Sequence, residues 1–291
     1  MLESLSSALK NQVDWPHPEF TGVASIKSRS ARVTALFVTL CPSFACSDER
    51  DDIAQQLANP VASLISVPLQ LNYDEKFGAD AKGTLLRLNV QPVIPIGLND
   101  DWNLISRTIL PVVNQQDFPV PGYSEWGLSD TVQSLFFSPK EPTSNGWIWG
   151  AGPAFLIPTA TDEFLGTEKW GAGPTAVALK QSGPWTYGGL TNHIESFAGE
   201  SGRADISATF LQPFLTYITP AKTTFALNTE STYDWEAQEW SVPINFTVSQ
   251  LLQMRGQIVS VGAGVRYWAT SPDSAADGWG VRLIFTLVYP R

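Results

Sequence analysis

Few side chains in this sequence could do chemistry, and most of them recur at every second position. Asn228, Glu230 and Asp234 fall on one side of an alternation whose other side is Phe225, Leu227, Thr229, Ser231 and Tyr233. Arg266 shares parity with Ser260, Gly262 and Gly264, opposite Val259, Val261, Ala263, Val265 and Tyr267. Arg282 alternates against Val281, Leu283, Phe285, Leu287 and Tyr289, and Arg87, Arg107 and Glu195 can be placed in the same way. A period of two is that of a β-strand with unlike faces. Charges on the enclosed face of such strands would meet across a low-dielectric interior. There they either create a field that orients a polar solute or join as salt bridges that fill the space.

Other chemistry is poorly supplied. His193 and Ser196 suggest an acyl-hydrolase pair, but a nucleophile and its base must lie within hydrogen-bond reach. Three residues apart on a strand they point to opposite faces, which leaves only a serine from a neighbouring strand. After Cys46 there is no further cysteine and His193 is the only histidine, too few ligands for zinc. The acids Asp162, Glu163, Glu168, Asp273 and Asp277 fall in loops, where they would hold Ca²⁺ or lipopolysaccharide-bound cations or simply be solvated. Gly150-Ala151-Gly152 and Gly171-Ala172-Gly173 lack the following helix of a phosphate-binding loop. No cofactor is expected. A formal charge of −10, with no basic cluster beyond the first 32 residues, gives nucleic-acid binding no electrostatic support.

The elements that must position these residues follow from composition and punctuation. Charged residues make up only 16% of the chain, against roughly 25% in a typical soluble domain. There are 11 tryptophans, yet no apolar run approaches the roughly 20 residues of a transmembrane helix. A chain whose lipid-facing residues are every second one has this composition. The alternation and its Pro, Gly, Asn and Asp breaks predict twelve strands, over 64–74, 83–97, 102–114, 128–139, 147–158, 169–180, 185–197, 204–218, 223–235, 239–251, 257–270 and 278–290. The expected fold is all-β: a closed antiparallel transmembrane β-barrel of about twelve strands, occupying 63–291. Connections after even strands are mostly tight and those after odd strands mostly longer, as periplasmic turns and external loops are.

Aromatic residues fall in two sets on this strand count. Trp102, Trp147, Trp185, Phe225 and Tyr289 lie at the periplasmic rim, and Trp126, Trp170, Trp235, Trp240 and Trp279 at the other, as amphipathic rings at lipid headgroups do. Seven prolines inside strands (Pro92, Pro95, Pro111, Pro153, Pro174, Pro213 and Pro243) oppose this fold, because each deletes a ladder donor. Bulges are expected there. In a closed barrel strands 11, 12, 1, 2 and 3 are contiguous, so Arg266, Arg282, Arg87 and Arg107 share one wall. Glu195, Asn228, Glu230 and Asp234 then lie on the facing arc. All eight are expected to line the lumen.

The N-terminus reads as a leader and signal sequence over 1–45. Lys27, Arg29 and Arg32 precede the apolar Val33–Leu40, and Ser43-Phe44-Ala45 offers small residues for cleavage. Cys46 at the following position raises a lipoprotein reading, although Ser43 stands where a leucine is expected. Residues 46–62 are expected to form a short periplasmic segment.

Five stretches, Asn59–Gln70 (NPVASLISVPLQ), Asn99–Arg107 (NDDWNLISR), Gly127–Gln133 (GLSDTVQ), Gly166–Pro174 (GTEKWGAGP) and Trp185–His193 (WTYGGLTNH), resemble the MetA-pathway of phenol degradation family of transporter-like proteins. The resemblance runs from about Asn59 to the C-terminus. It implies an outer-membrane barrel of a Gram-negative bacterium, with no catalytic motif and no defined substrate. The expected function is therefore a transporter-like channel for small, aromatic or apolar solutes. Its partners would be outer-membrane lipid, lipopolysaccharide, the barrel-assembly machinery and the solute. The rivals are a structural barrel with a plugged lumen, an outer-membrane lipid hydrolase and a secreted β-sandwich. The C-terminal Tyr289-Pro290-Arg291 departs from barrels that finish on an aromatic residue. If 27–45 is a signal, N-terminal sequencing of the exported protein will begin near Cys46 or Ser47; an intact Met1 in the outer membrane would refute the assignment.

Overall fold

The computed structural model describes residues 47–78, 80–119, 121–273 and 275–290. The leader and signal expected over 1–45 lie outside the described residues. A short helix, α1 (Ser47–Leu57), precedes twelve strands. They are β1 (Ile65–Phe77), β2 (Gly83–Val90, resuming as Val93–Gly97), β3 (Trp102–Gln116), β4 (Ser124–Leu128, resuming as Thr131–Pro139), β5 (Trp147–Ile157) and β6 (Lys169–Ser182), followed by β7 (Trp185–Gly199), β8 (Ser207–Ile218), β9 (Thr223–Thr229, resuming as Ser231–Asp234), β10 (Glu239–Met254), β11 (Gln257–Thr270) and β12 (Gly278–Tyr289).

Each strand pairs antiparallel with its sequence neighbours, and β12 pairs with β1 from Ile65↔Tyr289 to Tyr73↔Val281, so the sheet closes on itself. Closure leaves no edge, which is what backbone amides facing hydrocarbon require. The outward faces carry exposed large apolar residues, among them Ile244, Phe246, Val265, Val281 and Leu283. Their neighbours on the same strands, Asn245, Arg266 and Arg282, are buried. A surface apolar outside and polar inside is that of a membrane-spanning barrel.

The prolines are accommodated in two ways. Some coincide with interruptions: β2 breaks at Gln91-Pro92, and β9 breaks at Glu230, opposite Pro243, where β10 also shifts register against β11. Pro153 and Pro174 instead face each other across β5 and β6, so two missing donors fall at one place.

Exposed aromatic residues form chains of ring contacts at both rims. Trp102–Trp149, Trp147–Tyr187 and Trp185–Tyr217 run along the end with the short turns. Tyr233 touches both Trp235 and Trp240 at the other end, where Tyr267 packs on Trp279. The short turns at 98–101, 183–184, 219–222 and 255–256 mark the periplasmic side.

Residues 46–62 were expected to form a periplasmic segment; their described part packs into the periplasmic mouth. Ile53 and Ala54 of α1, with Ala62 and Leu64, cluster with inward Ile218, Leu251 and Val288. Val61 goes deeper, among Ile105, Phe136, Val177, Leu179 and Leu190. Polar contacts fix the segment: Gln55 Nε2 donates to Gly183 O, Gln181 Nε2 donates to Gln55 O, and Asn103 Nδ2 donates to Ser63 Oγ. At the external end, Phe118, Ala160, Leu165 and Ala276 from the loops pack on inward Phe77, Leu85 and Val113.

Face assignment is testable on β10. Phe246→Arg puts a cation against lipid near mid-membrane and is expected to cost about 2–4 kcal/mol. Ser249→Arg, which enters the lumen, will cost much less. Urea unfolding from lipid vesicles measures both, and equal losses would refute the assigned faces.

Candidate functional site

Between the two apolar closures lies a belt of charge. Cross-strand register builds it. Asn72 of β1 stands directly opposite Arg282 of β12 on one side and Arg87 of β2 on the other, so the three side chains share the inner face. One step toward the exterior, Asp74, Gly280, Arg266, Asn245 and Asn228 continue the same face.

Arg282 is 1% exposed and fully engaged. Its Nε donates to Asn72 Oδ1 at 2.7 Å, and its two terminal nitrogens donate to Glu230 Oε1 at 2.9 Å and Oε2 at 2.7 Å. This bidentate pair spans from β12 to β9, three strands away. Arg266 donates to Asp74 Oδ2 at 3.0 Å, reaching past Gly280, where any side chain would run into Asp74. Trp268 Nε1 donates to the other Asp74 oxygen at 3.0 Å, and the Arg266 guanidinium lies 5.0 Å from the Trp268 ring centre. Both pairs are geometries in which buried charge is tolerated: close, hydrogen-bonded and shared with further polar groups.

Two arginines remain without a carboxylate. Arg107 Nη2 donates to Gln91 Oε1 at 3.1 Å, an amide. Arg87, beside Asn72 on the inner face, makes no ion pair among the described residues. Asn228 accepts from Asn245 Nδ2 at 2.8 Å.

Two residues expected in the lumen are elsewhere. Glu195 pairs with Ala172, on the same face as Trp185 and Tyr187, so it points outward; the inward residue beside it is the buried Ile194. Its expected parity failed because 185–197 mixes polar and small residues on both faces, leaving no clear apolar side. Asp234 lies exposed at the external rim, and its Oδ1 accepts the backbone N–H groups of Glu236 and Ala237. A turn, not a lumen partner, uses that carboxylate. The expected field between an arginine wall and a distant acidic arc is replaced by charges in contact. Asp74 and Asn72, which bond Arg266 and Arg282 in the belt, are the side chains that sequence reasoning passed over. Their signal was present, because Ser66, Pro68, Gln70, Asn72 and Asp74 alternate against Ile65, Val67, Leu69, Leu71 and Tyr73.

Below the belt, toward the periplasm, a cavity of 290 Å³ is bounded by Arg107, Glu230 and Arg282 at the polar end and by Leu57, Leu64 and Leu251 near the helix. Above it, the loops are pinned. Asp130 accepts from Ala160 N, Thr167 N and Thr167 Oγ1, and Arg203 donates to the carbonyls of Glu163, Gly166 and Thr167. Lys169 binds Asp205 at 2.9 Å and holds that carboxyl below its usual range. A depressed carboxylate contributes above its unfolded pKa, so this external contact weakens as pH falls through the acid range.

His193 and Ser196 do not meet. His193 Nδ1 pairs with Thr209 Oγ1 at 3.0 Å, whereas Ser196 Oγ contacts Asp205 and accepts from Ile206 N. Among the described residues no cluster of His, Cys, Asp or Glu could hold a metal ion.

A closed twelve-stranded antiparallel barrel, apolar outside, belted by aromatic rings and charged within, defines an outer-membrane β-barrel of a Gram-negative bacterium. An outer-membrane channel from Pseudomonas putida F1 has the same fold, with a TM-score of 0.60 at 14% identity over 78% of this chain and 96% of that one. The outer-membrane phospholipase of Salmonella typhi, solved as a dimer with bound calcium, gives 0.44 at 11% identity, covering 83% and 98%. Pseudomonas putida OprB gives 0.35 at 8%, covering 81% and 95%. No protein-family model matches the chain, and no curated protein does.

The Arg282–Glu230 pair predicts a mutant cycle. Glu230→Gln leaves a buried guanidinium uncompensated and is expected to cost about 3 kcal/mol. Adding Arg282→Met removes the orphaned charge and will recover much of the loss, as urea unfolding in vesicles will register. A double variant no more stable than Glu230→Gln alone would contradict a pair that acts as a unit.

Proposed function

We propose that this protein is an outer-membrane channel for small solutes, transporter-like in the sense of the MetA-pathway family, and that residues 47–64 close it from the periplasmic side. The observation that carries this reading is the polar lumen. The interior encloses four arginines against two carboxylates and is not packed solid, since a cavity lies beside the charges. The fold shared with the Pseudomonas putida channel agrees with it.

The closing segment is held by the burial of Ile53, Ala54, Val61, Ala62 and Leu64 and by three side-chain hydrogen bonds to the barrel. None of its residues belongs to the strand ladder, so it can leave the mouth without unfolding the closed sheet around it. Apolar or aromatic solutes suit the lower cavity, where Leu64, Leu190 and Phe214 lie beside it.

A second reading, a structural barrel with a plugged lumen, is favoured by one feature. The bidentate Arg282–Glu230 pair bridges the interior directly. Planar-bilayer recording separates the two. The wild type is expected to conduct rarely and in brief openings, and Ile53→Asp, which cannot stay buried against Val288 and Leu251, is expected to raise the open fraction severalfold while the barrel remains folded. Silence from both proteins would favour the plugged barrel.

A further inference from the structure

The cavity has a chemical bias that a general solute channel does not need. It is bounded above by Arg107, whose guanidinium has five donors and, among the described residues, engages only the Gln91 amide. The other cavity-lining arginine, Arg282, is fully matched by Glu230 and Asn72. The local charge is therefore positive by one guanidinium, with Arg87, which makes no ion pair among the described residues, one strand away on the same inner face. A second polar group of the cavity wall is buried without a hydrogen-bond partner among the described residues: Thr216, 8% exposed, at its Oγ1. The rest of the lining is mixed: Leu57, Leu64, Val93, Leu190, Phe214 and Leu251 supply apolar surface, and uncharged polar groups such as Gln70, Gln212, Thr247, Ser249, Ser260 and Thr286 stand among them. At 290 Å³ the space is at the small end of ligand sites, which run from about 300 to 1,000 Å³.

We infer that this cavity is a binding site for a small amphipathic monocarboxylate, seated with its carboxylate on Arg107 and its apolar body toward the closing segment. The inference rests on the channel reading and narrows its solute class. A guanidinium fork matches a carboxylate, and the pair is stronger than the neutral-acceptor bond to Gln91 that it would replace or share. A dianion is disfavoured because Glu230 lies in the same wall. A cation would meet Arg107 with like charge. A neutral apolar molecule would leave the guanidinium with one amide as its sole partner away from bulk water, at a cost that the carboxylate removes.

Such a ligand also touches both parts of the closure. Its apolar body lies against Leu57 and Leu64 of the segment, and its charge lies against the belt. Loading from above would then compete with the contacts that hold residues 57–64 in place.

Calorimetric titration of the full folded barrel in detergent with hexanoate, hexanamide and acetate tests the site. Hexanoate is expected to bind once per chain, with hexanamide and acetate at least tenfold weaker, the first lacking the charge and the second the apolar body. Arg107→Gln is expected to lose at least tenfold for hexanoate, and Arg107→Lys to keep part of the affinity. Hexanamide binding as tightly as hexanoate would overturn the inference, as would a folded Arg107→Gln with undiminished affinity. If Arg107→Gln does not fold, the three-ligand comparison on the wild type decides alone. Because the titration needs no conductance, binding in a silent barrel would overturn the channel reading only, and conductance without hexanoate binding would overturn the site only.

Discussion

Backbone N–H and C=O groups that face hydrocarbon have no water to bond, and each one left unpaired costs several kcal/mol. The architecture of this molecule follows from meeting that demand with strands. The β12–β1 pairing carries it to completion, because without that seam two edges would lie open in the membrane. The same demand explains where prolines are allowed. Each proline subtracts a donor, and four of them sit where a strand already breaks, as Pro92 beside Gln91 and Pro243 opposite Glu230, or where two subtractions coincide, as in Pro153 and Pro174.

Closure creates an interior, and the interior sets the terms for charge. Outward positions must be apolar, so the charged side chains of the spanning zone are directed inward, where the dielectric is low and partners are few. Arg282 and Arg266 are long enough to cross neighbouring strands, and Gly264 and Gly280 leave the path clear beside them. Two carboxylates satisfy two of the four arginines. The imbalance is what distinguishes the lumen from a filled core, and it leaves Arg107, bonded to the Gln91 amide, beside the cavity toward the periplasm. The apolar clusters at the two ends then act as closures of different kinds. The external one is tied by Asp130 and Arg203 through several hydrogen bonds to loop backbone. The periplasmic one is a helix and a short tail, held by a few apolar contacts and three side-chain hydrogen bonds.

Strand existence, strand number and the facing of most side chains were legible in the sequence, since a lipid face tolerates almost nothing but apolar residues and writes itself as a period of two. The twelve expected spans lie within a few residues of the observed strands for that reason. Arg87, Arg107, Arg266, Arg282, Asn228 and Glu230 were placed inward by that period. It failed at Glu195, where both faces of 185–197 are mixed. At Asp234 the parity was right, but the rim bends the side chain to its own turn. Partner choice was not legible. Period two says that Arg282 and Glu230 share an interior, but only the closed cross-section decides that they touch, and that Asp74 takes Arg266. The burial of the segment before β1 was not legible either, because α1 is polar and short and its seat is a mouth formed by residues distant in the chain, among them Gly183, Ile218, Leu251 and Val288. Local alternation is determined by the solvent each strand meets. Which charges pair, which arginine is left over, and what fills the mouth are settled only when twelve strands are brought around one axis.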